Sequence, residues 1–167
     1  MKELWDIYDN NKVKTGIVKE RGSVMENGQY HLVALIWIKG VNGKYLISKR
    51  SSEIDGAGKW QSTGGSVLSG ESSINGAIRE VKEEIGIDAS LEKMKLLKSK
   101  FVGDKSGWIA DYWYLYDDIN IEDVVCQEEE VAEVMWASID EIKALIRKDH
   151  FFHGGLHLGE LDLLEDL

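Results

Sequence analysis

Glu80, Glu83 and Glu84 stand close together in the stretch REVKEEIG, and their side chains are suited to bind a metal ion. At 3.6 residues per helical turn they share one face, within about 60° of Glu80 around the axis. Like charges at these spacings weaken a helix, and a divalent cation would compensate for the repulsion. Oxygen donors without a nearby Cys or His favour Mg²⁺, with Mn²⁺ as a substitute. The alternative is a solvated acidic face on which Arg79 pairs with Glu83.

Glycines flank this predicted helix. Gly64 and Gly65 allow a tight loop before it, and Gly86 sits where a left-handed glycine ends a helix. The stretch resembles the Nudix box, the signature of the Nudix hydrolase family. Its fixed positions are filled without departure by Gly65, Glu71, Arg79, Glu80, Val81, Glu83, Glu84, Gly86 and Ile87. Such agreement is far more specific than a lone glycine motif.

The resemblance implies an α/β protein with the Nudix fold, an α/β/α sandwich with a mixed central sheet and a catalytic loop–helix–loop. It also implies Mg²⁺-dependent hydrolysis of a phosphoanhydride bond by metal-activated water. The substrate would be a nucleoside diphosphate linked to another moiety, or a nucleoside di- or triphosphate. A homodimer is expected by analogy. Partners other than such a small phosphorylated molecule, in particular a nucleic acid polymer or a membrane, are not expected.

Roles within the box follow from this resemblance. Glu83 and Glu84 are expected to be the primary metal ligands, and Glu80 a ligand or the general base. A backbone carbonyl of Gly64 or Gly65 can add a further ligand.

Two more residues of the box are expected to act on the carboxylates. Arg79 is expected to orient a carboxylate, and Glu71 can pair with Arg79, either for catalysis or as structural support. Glu71 would also lie favourably at the positive end of the helix dipole.

The acidic stretch before the last predicted strand offers another ligand or base. Glu130 is the first candidate and Glu129 the second, because many Nudix enzymes draw a glutamate from this region. The alternative is a solvated acidic loop.

Other candidate residues would bind the substrate. Lys49 and Arg50 end a predicted strand near the box loop, where they can clamp a phosphate or simply be exposed. Tyr112 lies on one face of its strand with other aromatic residues and can stack on a nucleobase, or pack in a core or a dimer interface.

Composition restricts the class of protein. The chain has 167 residues, 43% of them hydrophobic, which fits one domain over residues 1–167 with an N-terminal extension, 1–29, packed on it. Its net charge of −10 argues against a nucleic acid partner. No apolar run approaches the length of a membrane span, and the single Cys126 excludes an internal disulfide; a cytoplasmic location is expected.

Two other functions remain open. The leading segment and the stretch Trp60-Gln61-Ser62-Thr63 are similar to isopentenyl-diphosphate isomerase, but Gly64 occupies the position of its catalytic cysteine. The third possibility is a nucleotide-binding module without catalysis.

The spacing of three histidines is compatible with a metal site: His150, His153 and His157. No further ligand accompanies them, and contact with the substrate or packing in a loop are the alternatives.

Alternating and buried patterns predict the elements that must position these residues. Strands are expected over 31–38, 44–49, 94–102, 108–116 and 131–136, with a hairpin turn at Asn42-Gly43. Besides the box helix, helices are expected over 138–148 and in the tail, 158–167. A stripe of Ile74, Ile78, Val81 and Ile85, roughly 140° from the carboxylates, is expected to face the core.

Overall fold

The computed structural model describes residues 2–152 and 161–165, except for the side chains of residues 163 and 165. Its nine strands are β1 (Leu4–Tyr8), β2 (Lys14–Glu20), β3 (Tyr30–Lys39), β4 (Tyr45–Arg50), β5 (Trp60–Gln61), β6 (Thr63–Ser66), β7 (Met94–Val102), β8 (Gly107–Tyr116) and β9 (Val131–Ala137). The helices are α1 (Ser73–Ile85), α2 (Ile139–Arg147) and α3 (Asp162–Glu165). The strands predicted from the sequence and both longer helices are therefore confirmed.

The long strand β3 organises a mixed sheet. It pairs in parallel with β8 along its whole length, from Tyr30↔Gly107 to Lys39↔Tyr116. Its other edge pairs antiparallel with β1, β6 and β4 in turn, while β2 extends β1, β7 extends β8, and β4 also pairs with β5 and β9. The turn at Asn42-Gly43 joins β3 to β4, as predicted, with Gly43 at φ 74°. A mixed sheet between helices is the expected α/β Nudix architecture.

Alternation along β3 gives the sheet two apolar faces, each covered by one of the longer helices. The even-numbered residues of β3 pack with Ala77, Val81 and Ile85 of α1. Trp37 packs on the other face with Tyr112 and with Ile142 of α2. Layers on both sides of the sheet confirm the predicted sandwich.

Helix α1 ends at the predicted glycine, and its buried face differs from the predicted one in a single residue. Ser72 caps its N-terminus by accepting a hydrogen bond from the Asn75 N–H, and Gly86 ends it with φ 74°. The predicted core stripe is wrong in one member, because Ile78 is only half-buried and lies outside the core cluster. The small residues Gly76 and Ala77 face the sheet instead, which lets the helix pack closely on it.

An N-terminal hairpin, β1 and β2, was not predicted as strands. It joins the sheet where Tyr8 pairs with Tyr30, so residues of the N-terminal extension contribute to the main sheet. The tail helix is described only over Asp162–Glu165, with Leu161 and Leu164 buried. Of the 151 residues from 2 to 152 and the five from 161 to 165, none belongs to a helix long and apolar enough to span a membrane.

Candidate active site

A cleft of about 520 Å³ lies between the sheet, helix α1 and the segment after α2. Its wall on one side is carboxylate-rich, with Glu80, Glu83 and Glu84 from α1 and Glu130 from the loop before β9. Its floor is the aromatic face of the sheet, which includes Trp37, Trp108 and Tyr112. A concave apolar pocket with converging charged groups is the usual form of a small-molecule site.

Arg79 holds the carboxylates of the box together. Its Nε and Nη2 atoms donate to the two oxygens of Glu71 at 2.9 and 3.1 Å. Its Nη1 donates to Glu80 Oε1 and Glu83 Oε2, both at 2.8 Å, and Nη2 also donates to the Ser66 carbonyl at 2.9 Å. Burial alone would lower the pKa of Arg79, but these carboxylates raise it. The guanidinium is therefore permanently charged and orients three glutamates at once.

Glu71 serves the loop as well as Arg79. Its Oε2 accepts a hydrogen bond from the Leu68 N–H at 3.0 Å, which closes the turn before α1. Burial would raise the pKa of Glu71, yet Arg79 and Leu68 hold it below its usual value. The geometry places Glu71 beneath the guanidinium as a support, and Glu71 is not among the residues that line the cleft.

Glu80 and Glu84 are buried carboxylates side by side at the cleft wall, 8% and 2% exposed. Burial raises the pKa of Glu80 to about 7, with Arg79 opposing the shift and Glu83 and Glu130 adding to it. Burial and the charges of Glu80 and Glu130 raise the pKa of Glu84 well above its usual value. A pair of charges that burial and repulsion disfavour in this way is stabilised by a bound cation.

The two glycines before α1 allow the close approach of these carboxylates. The Gly64 N–H donates to Glu84 Oε2 at 3.3 Å. A Cβ on Gly65 would lie 2.5 Å from Glu80 Oε1, and a Cβ on Gly64 would clash with the Ala34 carbonyl. Strand β6 therefore passes so close to its neighbours that a side chain at position 64 would meet the main chain of β3, and one at position 65 would displace the Glu80 carboxylate.

Main-chain hydrogen bonds hold Glu130 beside the helix. The Val125 and Gln127 N–H groups donate to the carbonyls of Ile85 and Glu84 at 3.1 and 3.0 Å. The Ser51 N–H donates to the Glu130 carbonyl at 2.9 Å. Glu130 lines the cleft, while Glu129 is exposed outside it.

Arg50 and Lys49, neighbours at the end of β4, have different surroundings. The Arg50 guanidinium lines the cleft, donates to Asp55 O at 2.5 Å and to Gln61 Oε1, and stacks 4.1 Å from the Phe152 ring. Burial lowers its pKa, although the nearby carboxylates oppose the shift. Lys49 pairs instead with Glu133 at 3.3 Å and does not line the cleft. Of the two predicted phosphate ligands, only Arg50 therefore lines the cleft.

Several cleft residues were not singled out from the sequence. Gln61 and Phe152 contact Arg50, and Lys59 lies nearby on the loop before β5. Gln61 stands in the Trp-x-x-Thr stretch, which is the only sequence signal for this group. At the far end, Glu3 and Arg21 of the N-terminal hairpin also line the cleft.

The predicted histidine cluster is only partly described. His150 is exposed, and its carbonyl accepts a hydrogen bond from the Trp60 N–H at 2.9 Å; His153 and His157 lie outside the described residues. Within residues 2–152 and 161–165, no group of three His, Cys, Asp or Glu side chains is already arranged to hold a metal. The buried Glu80 and Glu84 nevertheless fit a hard cation by their oxygen donors and by a burial that disfavours their negative charge.

Comparisons with known proteins agree with this geometry. The sequence profile of the NUDIX domain matches residues 29–156. An uncharacterised Nudix hydrolase of Listeria monocytogenes is 34% identical over 151 residues, 89% of this chain and 88% of that protein.

Solved structures give the same result. A Deinococcus radiodurans crystal structure superposes with a TM-score of 0.75 at 18% identity, covering 98% of both chains. The MutT protein from Methanosarcina mazei gives 0.62 at 25% identity, covering 86% of this chain and 95% of that one. Nudix hydrolases cleave nucleoside diphosphate derivatives and generally use a divalent metal. This chain belongs to the Nudix family and is a pyrophosphohydrolase.

Proposed function

We propose that this protein hydrolyses a phosphoanhydride bond in a nucleoside diphosphate linked to another moiety, and that it does so with Mg²⁺. The pair of buried carboxylates, Glu80 and Glu84, carries the proposal. They line a cleft large enough for a nucleotide derivative, and Glu130 faces them with a further negative charge. Substrate and ligands would both be anionic here, so that catalysis requires a cation between them.

Bound Mg²⁺ would shield the charge of the diphosphate and make the attacking water more acidic. Glu80, Glu84 and Glu130 would hold the ion, and Glu83 would join them from the rim of the cleft. In the described arrangement Glu83 is bound to Arg79. Arg79 also bonds Glu80, so it keeps the carboxylate oxygens in a fixed orientation, which lowers the cost of assembling the site.

Two side chains are suited to take part in the reaction, one by accepting the proton of the attacking water and one by binding the phosphate. Burial raises the pKa of Glu80 to about 7, so Glu80 could accept a proton from water near neutral pH if it serves as the base and leaves the ion to Glu84, Glu130 and Glu83. Arg50 can donate two parallel hydrogen bonds to a phosphate if it leaves Gln61 or the Asp55 carbonyl. Lys49 points away from the cleft, so we assign phosphate binding to Arg50 alone.

The aromatic floor supports a nucleoside as one part of the substrate. Tyr112 and Phe152 line the cleft, and Tyr112 lies four residues along β8 from Trp108, away from the N-terminal hairpin. Stacking on such rings contributes about 1–3 kcal/mol per base in nucleic-acid complexes.

The alternative functions gain no support from the site. The catalytic cysteine of the isomerase could not be accommodated at position 64 of this chain. Gly64 has φ 154°, and a Cβ at this position would clash with the Ala34 carbonyl. A binding module without catalysis has no need for buried, mutually repelling carboxylates. A cytoplasmic location, a homodimer and one domain with its N-terminal extension remain part of the proposal.

The test is turnover of a panel of nucleotides with Mg²⁺. The panel contains nucleoside di- and triphosphates, nucleotide sugars, dinucleotide cofactors and prenyl diphosphates. Glu84→Gln and Glu83→Gln should each lower turnover of the preferred compound at least ~100-fold. Glu92→Gln, an exposed glutamate outside the cleft, is the matched control and should behave as the wild type. Equal turnover by wild type and Glu84→Gln would refute the carboxylate site.

A further inference from the structure

An ion pair from the N-terminal hairpin lines the end of the cleft. Arg21 Nη1 donates to both oxygens of Glu3, at 3.1 and 2.9 Å. The Arg21 N–H also donates to the Glu3 carbonyl at 2.9 Å, so the two residues form the cross-strand pair next to Leu4↔Glu20. Both side chains line the same cleft as the carboxylates of α1. The family profile begins at residue 29, so this pair is an addition to the matched region.

The hairpin is fastened to the loop of the Nudix box. Asp6 accepts hydrogen bonds from Ser69 Oγ at 2.7 Å and from the Gly70 N–H at 3.0 Å. The Ser69 N–H donates to the Leu4 carbonyl at 2.7 Å. The position of Glu3 relative to the box loop is therefore fixed by three bonds at its neighbours. An element held in this way can present a side chain to a ligand reproducibly.

The pair stands well apart from the carboxylates that would bind metal. Gly65 lies beside Glu80, and Leu68, three residues further along the chain, lines the cleft near the hairpin. At about 3.3 Å per residue the separation is at most roughly 10 Å. That distance leaves room for a group of the size of a sugar between the reacting diphosphate and Arg21.

Trp108 forms the adjoining surface. Its ring lies 6.4 Å from that of His31, which in turn stacks on Trp5 at 4.0 Å. Burial is the main cause of the lowered pKa of His31, and the positive charge of Arg21 adds to it. Arg21 is therefore close to this ring stack. An aromatic surface beside charged hydrogen-bonding groups suits a polar ring.

The charge of the pair selects among polar groups. Because Glu3 neutralises Arg21, the pair favours a neutral ligand over a terminal phosphate. Both bonds come from Nη1, so the Nε–H and Nη2–H groups of Arg21 can still donate, and Glu3 oxygens can accept from hydroxyls. A ligand with neighbouring hydroxyls satisfies both residues at once.

We propose that Glu3 and Arg21 recognise the sugar in the moiety that is linked to the nucleoside diphosphate, and so set substrate specificity. This inference rests on the proposed function. It assigns the N-terminal hairpin a direct contact with the substrate on the side away from the nucleoside.

Matched ligands with and without the sugar test the inference. Binding of ADP-ribose and ADP, and of UDP-glucose and UDP, is measured by calorimetry to wild type, Arg21→Gln and Glu3→Gln. Ca²⁺, a larger hard cation, replaces Mg²⁺ in order to suppress hydrolysis, so that binding of the intact ligand is measured at equilibrium. The control is Glu20→Gln, which removes the neighbouring pair with Lys2 (2.9 Å) outside the cleft. Exposed pairs add little to stability, so the variants should fold normally.

We expect Arg21→Gln to weaken binding of a sugar-bearing ligand about tenfold, from loss of a charged hydrogen bond, and to leave ADP and UDP unchanged. With Mg²⁺, KM for that sugar nucleotide should rise by the same factor while kcat stays near that of the wild type. The inference would be overturned if Arg21→Gln weakened binding of the sugar-bearing ligand and of its sugar-free counterpart equally, or if it weakened binding of neither. Absence of turnover in the wild type would refute the proposed function instead, and the calorimetric comparison would still decide the role of Arg21.

Discussion

Replacement of Gly65 by alanine should disable the site without unfolding the protein. The added Cβ would lie 2.5 Å from Glu80 Oε1, whereas ordinary contact begins at 3.4 Å. The carboxylate must therefore recede by about 0.9 Å, the difference between these distances. A misplacement of about 1 Å at a reacting group costs roughly 100-fold in rate. We expect kcat to fall by about that factor, because Glu80 also leaves its 2.8 Å bond to Arg79.

Stability should change little in this variant. Gly65 has a backbone conformation that alanine adopts, and the atom it meets is the end of a flexible side chain. The unfolded chain loses freedom, worth about 0.4–1 kcal/mol in favour of folding, and a strained Glu80 rotamer costs about 0.5–1.5 kcal/mol. The urea midpoint should stay close to that of the wild type. Gly64→Ala should behave oppositely and lose at least about 3 kcal/mol, because its Cβ clashes with the main chain of β3.

The assay is kcat on the preferred compound of the panel, beside urea unfolding of the same samples. Gly70→Ala is the control, since a Cβ there meets nothing within 4 Å. Its φ of 87° makes alanine strained, so it should lose about 1 kcal/mol of stability and keep its activity. If Gly65→Ala retained the activity of the wild type, the reasoning that Glu80 must hold its position would be refuted.

Three further predictions concern charge. Arg50→Gln should raise KM by roughly 10–100-fold, from loss of a charged phosphate contact, whereas Lys49→Gln should not; equal effects in steady-state kinetics would contradict the assignment of phosphate binding to Arg50 alone. Burial lowers the pKa of His31 to about 4, so the unfolded chain binds more protons below its usual value of 6.5, and up to about 3 kcal/mol should be lost as pH falls from 6.5 to 4. Urea unfolding at several pH values measures this loss of unfolding free energy. If the pH dependence is unchanged in His31→Phe, the loss must arise from other groups. Protons compete with metal at Glu80, whose pKa is about 7, so Mg²⁺ should bind more weakly at pH 6 than at pH 8 in calorimetry; the reverse order would refute a carboxylate ligand set.

The box and the central strands were readable because each signal is local. The glutamates share a helix, and residues 32–38 form an uninterrupted apolar run that suits a strand buried on both faces. Burial of Glu80 and Glu84 could not be read in this way. It depends on Gly65 passing beneath the helix, which is a contact between separate elements.

The missed strands lacked a local pattern. Strand β2 (Lys14–Glu20) is exposed along most of its length, so no alternation of apolar and polar residues marks it. Strand β6 reads TGGS, which is typical of a loop, and it is extended because its main chain pairs with β3. Ile78 followed helical periodicity, but the sheet accommodates the small Gly76 and Ala77 in its place. The pairing of Lys49 with Glu133 likewise arises only once β9 lies beside β4.

The main-chain bonds from Val125 and Gln127 to the end of α1 have a consequence for local unfolding. These two amides report on the last turn of the helix, since their acceptors are the carbonyls of Ile85 and Glu84. Any opening that frays this turn must release the loop that carries Glu130. Hydrogen exchange should therefore find the two amides opening together with the helix terminus, as one cooperative unit. Helix and loop would thus lose the proposed metal ligands in the same event, so that the site should be either assembled or open, without a half-formed state.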